Sequence, residues 1–290
     1  MKCLAAHYAL VPLSRLAGCL RKPEIPPRLA AITIDDGYRD AYEIAFPILR
    51  KHCAPATVFV VTEFVEGMTW LWTDKPRYLT ALAAPQTFEI GFGGHDLKLK
   101  LNGAASRAVA AGLINAALKP LSEKARDALI GRLAYELGVK LPERPPAEYG
   151  AINWRQAREM DDAGVEIGSH TLTHPILTGL GADRLRAEVE LSRERIQNAI
   201  GRKVETFRYP NCDYDLRTRR EVVIAGYQCA VTTDAWLNDG RDGPLALRRI
   251  HGEYDLARFA DSVDHGIRQQ YQRVVKKEKK SFLGLAKAEL

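Results

Sequence analysis

Ala31-Ile32-Thr33-Ile34-Asp35-Asp36-Gly37-Tyr38 is a short apolar run that stops at two adjacent carboxylates and a glycine. Side chains alternate along a strand, so Ile32 and Ile34 face one way and Thr33 the other. In an open or barrel-like parallel sheet, sites gather at the carboxyl ends of the strands. Asp35 and Asp36 would stand at such an end. Two neighbouring acids repel each other unless a cation or a proton lies between them. The stretch therefore points to a metal site whose other ligands come from elsewhere in the chain.

Working outward, the same pattern recurs. Ala56-Thr57-Val58-Phe59-Val60-Val61 is β-branched and uncharged, as a buried strand is. Beyond residue 150, helix and strand alternate. A helix at 154–163 closes at Gly164, and a strand at 165–168 leads into Ser169-His170-Thr171-Leu172-Thr173-His174. A helix at 183–200 closes at Gly201, and a strand at 204–207 leads into Arg208-Tyr209-Pro210-Asn211. A helix at 217–225 closes at Gly226, a strand at 227–232 runs to Asp234, and a strand at 245–250 runs to His251. A last helix is expected over 255–267. This alternation implies an α/β chain with a parallel sheet or barrel. Polar residues recur at the strand ends, and the topology would gather them on one face.

Two regions break the alternation. Residues 1–28 read as an amphipathic helix, with Leu13, Leu16, Ala17 and Leu20 on one face, followed by a Pro-rich connector. Leu16-Ala17-Gly18-Cys19 has the look of a lipoprotein cleavage box, but His7 and Arg15 interrupt the apolar run that export requires. Residues 67–150 read as a mainly helical insertion with helices at 104–118 and 122–137, and with no catalytic constellation of its own. His95 there reads as a turn residue in a glycine-rich loop. Pro47 should kink or interrupt the helix after Tyr38, and the lysines near 276–280 form a basic tail over about 270–290.

Composition narrows the class. With 46% hydrophobic residues in 290, the chain can bury a full core. Its 36 acids are interspersed among 42 bases, so the net charge of +6 does not mark a nucleic-acid binder. Five scattered cysteines without a C-x-x-C pair argue against a disulfide framework and fit a reducing, cytoplasmic setting. No stretch of 18 apolar residues occurs, so no transmembrane span is expected.

His170 and His174 form H-x-x-x-H, with Pro175 forcing a turn or a helix start. Two histidines and one carboxylate make the three-ligand set of a zinc-type catalytic site, with one position left for water. The second aspartate could then serve as general base.

These residues carry a resemblance. Thr33-Ile34-Asp35-Asp36-Gly37-Tyr38, Ser169-His170-Thr171-Leu172-Thr173-His174 and Phe207-Arg208-Tyr209-Pro210-Asn211 resemble, in order, the first three motifs of the polysaccharide deacetylases, carbohydrate esterase family four. The Tyr-Pro-Asn variant resembles one branch of that family. The resemblance implies a distorted (β/α) barrel of about seven strands. It also implies a hydrolase that removes acetyl groups from an N-acetylated saccharide, using zinc or another divalent ion. Carried over residue by residue, Asp36, His170 and His174 would hold the metal, and Asp35 would be the general base. Arg208 would keep Asp35 ionised, and the Asn211 N–H would stabilise the oxyanion. The later motifs depart from the family pattern. Asn211 and Cys212 stand where an aromatic residue and a glycine are usual, and Asp234 near Trp236 only loosely fits the fourth motif. His251 comes two positions later than the family's general acid; either it is that acid, oriented by Asp234, or Arg249 lines the pocket instead. Two other readings stay open: hydrolysis of another C–N bond, as in allantoin-type ureides, and a sugar-binding module without catalysis.

Overall fold

A computed structural model of the chain describes residues 1–263, apart from 23, 93, 94, 236, 240–242, 253, 254 and 256. Helix α1 (Lys2–His7), strand β1 (Ala9–Leu10) and helix α2 (Leu13–Leu20) precede β2 (Leu29–Ala30) and β3 (Ile32–Ile34). Leu29 and Ala30, just ahead of the apolar run, pair with β1 in a separate two-stranded sheet, which the sequence reading did not foresee, and the run itself supplies β3 to the main sheet. A π-helical turn (Ala41–Ala45) passes directly into α3 (Phe46–Lys51), and Pro47 stands just after the junction, where the helix changes from π to α spacing.

Strand β4 (Ala56–Val60) is buried along its whole length and is followed by the short α4 (Thr62–Val65). The insertion holds α5 (Asp74–Leu82), a hairpin of β5 (Thr87–Phe92) and β6 (His95–Lys100), α6 (Ala104–Leu118) and α7 (Glu123–Glu136). The helices expected at 104–118 and 122–137 are α6 and α7, while α5 and the hairpin are additional and His95 opens the hairpin's second strand. The insertion has its own core, built on Trp72, Leu79, Ile90, Leu99, Ile114, Leu118, Ile130 and Leu133. The body resumes with α8 (Trp154–Asp162), β7 (Val165–Ser169), α9 (Ala182–Ile200), β8 (Thr206–Arg208), α10 (Leu216–Ile224) and β9 (Cys229–Val231).

Five parallel strands form the main sheet in the order β3-β4-β7-β8-β9. The stretch expected as a strand at 245–250 makes only an isolated parallel bridge, Leu247 to Val231, at the far edge. Residues 257–263 are helical, with Asp255 accepting the Arg258 N–H ahead of them at 2.9 Å, and residues 256 and 264–267 of that expected helix, the basic tail and Trp236 lie outside the described residues.

The sheet is curled into a partial barrel. Arg249 follows the bridge at one edge, and Asp35 ends β3 at the other, yet the guanidinium meets the carboxylate at 2.7 Å. Only a sheet bent round on itself brings its two edges within one side chain's reach. Phe59, Cys229, Val231 and Leu247 pack together with Leu13, Ala17 and Leu20 of α2. The apolar face read from the first residues therefore packs α2 against the barrel; the Leu13 N–H reaches Thr57 Oγ1 (3.4 Å) and the Ser14 N–H reaches Glu166 Oε2 (3.3 Å). Gly168 leaves room for Phe59: a Cβ there would lie 2.6 Å from the phenyl ring and 2.5 Å from Thr206 Oγ1.

Candidate active site

Register fixes which residues meet. Val60 pairs with Ser169, Ser169 with Phe207, and Arg208 with Val231. The residues that leave β3, β7 and β8 at their carboxyl ends are Asp35-Asp36, His170 and Arg208, and they sit side by side. Of the seven non-glycine residues with positive φ among those described, five are here: Asp36 (69°), Thr171 (71°), His174 (61°), Asn211 (52°) and Cys212 (61°). Such backbone costs free energy and is held only where the surroundings over-determine it. Cys212 occupies a left-handed conformation that a glycine would adopt without strain, and its Sγ accepts the Thr233 N–H at 3.0 Å. Gly37 (φ 79°) follows Asp36; a Cβ on it would lie 3.0 Å from Val60 Cγ1.

Asp36, His170 and His174 present one ligand atom each, all within 4.8 Å of one another. Both histidine Nε2 atoms face Asp36 Oδ1, at 3.3 Å from His170 and 3.6 Å from His174. Two ligands each about 2.0–2.1 Å from a tetrahedral ion lie roughly 3.4 Å apart, so the spacing suits such an ion. His170 Nδ1 lies 2.7 Å from the Arg208 carbonyl oxygen; as the donor in that bond it leaves the Nε2 lone pair free to ligate. Burial above all pushes the His174 pKa down to about 3, which keeps its ring neutral. Burial raises the Asp36 carboxyl, but the His170 hydrogen bond and both histidines bring it below its usual value. The donor set therefore fits a divalent cation.

The histidine loop is held from below by Glu188 of α9, a fully buried carboxylate. Its Oε2 accepts the Leu172 and Thr173 N–H groups at 2.9 and 3.0 Å, and its Oε1 accepts the Thr173 hydroxyl at 2.7 Å. Nothing in the sequence singled out this residue. Glu188→Ala is expected to weaken metal binding about 10- to 100-fold, measured by competition with a chelating dye; unchanged affinity would show that the loop holds itself.

Asp35 is clamped by two guanidinium groups. Arg249 donates to both its oxygens at 2.7 Å, and Arg208 Nε donates to Oδ2 at 3.1 Å. Arg249 also reaches Thr33 Oγ1 at 3.0 Å and the Thr232 carbonyl at 2.8 Å. Burial alone would raise the Asp35 pKa, but the bond and charge of Arg249, with the charge of Arg208, hold it far below the carboxylate range. Of the two alternatives left open for the fifth motif, Arg249 is the residue in contact with Asp35, although it is not part of the cleft wall itself. His251 is exposed and does not line the cleft. Asp234 is exposed too, and it accepts from Tyr214 (3.4 Å) and Thr232 (3.3 Å); among the described residues it makes no bond to His251.

The cleft over these groups has a volume of about 340 Å³, and Asn211 is part of its wall. The insertion, expected to carry no site residues, supplies Thr73, Asp74, Arg77 and Asn115 to the same wall. Its Lys119 donates to the Asn211 carbonyl at 3.1 Å and pairs with Asp213 at 3.0 Å, so the insertion also braces the third-motif loop.

Comparison with known proteins leads to the same place. The Bacillus subtilis (strain 168) protein YxkH, named among polysaccharide deacetylases, is 30% identical over 219 residues, which are 76% of this chain and 50% of YxkH. The chain thus spans half the length of that relative. Among solved structures, the Streptococcus pyogenes deacetylase PplD in complex with acetate superposes with a TM-score of 0.55 at 19% identity, over 86% of this chain and 76% of that one. The BpsB deacetylase domain of Bordetella bronchiseptica does so with a TM-score of 0.53 at 18% identity, over 85% and 80%. At these identities the two structures speak for the fold alone. The family model for polysaccharide deacetylase matches residues 22–111 and 123–230, a span that contains all three motifs and stops short of Arg249. With two thirds of the sequence matched and the motif residues converging as the barrel requires, the chain belongs to the polysaccharide deacetylase family.

Proposed function

We propose that this protein is a metal-dependent hydrolase that removes acetyl groups from an N-acetylated saccharide. The observation that carries the reading is the Asp36-His170-His174 triad lying beside a carboxylate that two arginines keep ionised, in one cleft at the strand ends. A divalent ion in the triad, zinc by its ligand types, would polarise the acetyl carbonyl and make water a better nucleophile at neutral pH. Asp35 takes the proton from the attacking water. Its clamp keeps it in the basic form at every physiological pH, at the cost of proton affinity. Arg208 and Arg249 fix the direction of its lone pairs. The Asn211 backbone, in its left-handed turn, is the protein's candidate donor to the developing oxyanion. The free state of Cys19, Cys53, Cys212 and Cys229 supports a reducing compartment. No helix among the described residues is long and apolar enough to cross a membrane.

The test is metal analysis followed by acetate-release assays over N-acetylated oligosaccharides, with the apo protein reloaded with zinc, cobalt or manganese. Acetate release that rises with metal content up to one equivalent is the expected result. Saccharide binding without acetate at any loading would replace the enzyme by a binding module.

A further inference from the structure

The cleft contains a third carboxyl group besides those of Asp35 and Asp36. Asp74 opens α5, is 4% exposed, and lines the cleft together with the triad and Asp35. Its Oδ2 accepts the Tyr38 hydroxyl at 2.6 Å. Tyr38 is itself fixed: its ring packs edge-on to Phe64 at 5.3 Å, and its backbone bridges to Ala151. The segment before α5 is fixed as well, because Asn115 Nδ2 donates to the Thr73 carbonyl at 2.8 Å and the Trp72 indole donates to the His174 carbonyl at 3.2 Å. Asp74 is therefore a rigidly placed acid, tied on one side to the loop after Asp36 and on the other to the second histidine ligand.

Amide hydrolysis needs a proton for the departing nitrogen, and the other groups in the cleft are poor sources of it. Asp35 has both oxygens engaged by guanidinium groups, which expel a proton. His170 and His174 turn Nε2 toward Asp36. Tyr38 is held well above the normal phenol range, by burial first and then by Asp74. His251 lies outside. Asp74 has no cation within ion-pair distance among the described residues. The charged and titratable groups around it are Tyr38, Arg77, Asp36 and Tyr149. Burial outweighs the Tyr38 bond and the Arg77 charge and raises its pKa to about 6, inside the range suited to a general acid.

We propose that Asp74, supplied by the insertion, is the general acid that protonates the leaving amine. This deepens the deacetylase reading and rests on it. Water adds its oxygen to the acetyl carbon and gives a proton to Asp35. The C–N bond then breaks with its electron pair left on nitrogen, and the Asp74 proton joins that nitrogen. The products are acetic acid and the free amine; Asp35 releases its proton to solvent, and Asp74 takes one back. Tyr38 is a positioning residue that orients the carboxyl.

Leaving-group dependence tests the assignment. The probes are the fully N-acetylated tetramer of N-acetylglucosamine, whose amine must be protonated, and 4-nitrophenyl acetate, whose phenolate leaves unaided. Asp74→Asn should cut kcat on the tetramer about 100-fold or more and turnover of the ester less than fivefold, with metal content unchanged. Asp74→Glu, which restores a carboxyl, should recover at least a tenth of the lost amide rate. Equal loss on both probes, no loss on the tetramer, or a wild-type enzyme that cleaves the ester alone would overturn the assignment while leaving a metal-dependent esterase in place. A wild-type protein inactive on both probes at every metal loading would overturn the deacetylase reading, and this assignment with it.

Discussion

Asp35→Asn is expected to lower kcat for acetate release by about a thousandfold or more while leaving the bound metal in place. The rate loss follows from chemistry: an amide cannot accept the proton of the attacking water, and a positioned base is worth about 10²–10⁴-fold. Metal retention follows from geometry, since Asp36, His170 and His174 are untouched. A second consequence separates this variant from an ordinary loss of a base. Arg208 and Arg249 side chains are 4% and 14% exposed and share Asp35 as their carboxylate. The substitution leaves one buried and one partly buried guanidinium group facing an NH2 group, and breaking a buried pair costs about 3–5 kcal/mol. At about 2–4 °C per kcal/mol for a chain of this size, the melting temperature should fall by roughly 10 °C. Activity within tenfold of wild type would remove Asp35 from the mechanism. A variant that melts normally would show that the two arginines are solvated without it.

The difference between Asp35 and Arg249 shows what was legible in the sequence. Asp35-Asp36 and His170 come straight after strands and Arg208 is the last residue of one, so an apolar strand pattern ending in polar groups marks them. His174 is marked by its spacing from His170. The fifth position was harder because 245–250 is no strand. Only Leu247 bridges the sheet, and two residues further Arg249 takes the inward place above it, as Asp35 does two residues after Thr33. One more step of two carries His251 past the rim into solvent. Asp74 and Glu188 were not legible at all. Each acts on residues far away in the chain, Asp74 on Tyr38 and Glu188 on the histidine loop, and a buried carboxylate on a helix looks in sequence like a solvated one. The insertion periodicity gave α6 and α7 but not α5, and it could not reveal that the insertion leans on the Asn211 loop through Lys119.

Removal of the metal should lower the melting temperature by about 8–16 °C at pH 7.5. An ion held at a thousand times its dissociation constant contributes about 4 kcal/mol of folding stability, and the same 2–4 °C per kcal/mol applies. The chelated protein should also become more acid-labile, with His174 as the first cause. Its folded pKa of about 3 lies below the ordinary histidine value near 6.5. Above pH 6.5 both folded and unfolded chains hold the ring neutral, so this group adds no pH dependence. Below it, the unfolded chain binds a proton that the folded chain refuses, and stability falls as pH falls, until the folded ring titrates near pH 3. Between pH 6.5 and 5 this amounts to about 2 kcal/mol. Asp35 and Asp36, both held below the usual carboxylate value, add their loss only below about pH 4. Thermal melts of the chelated protein from pH 7.5 to 5 measure the net slope. Asp74, its folded pKa raised to about 6, works the other way in it, because the folded chain binds that proton first. His174→Asn should remove the acid loss and leave stability level or rising toward pH 5. If chelation strips the ion without moving the melting temperature, the triad does not grip a cation in the folded protein. If His174→Asn keeps the full slope, the proton that unfolds the protein binds at another residue.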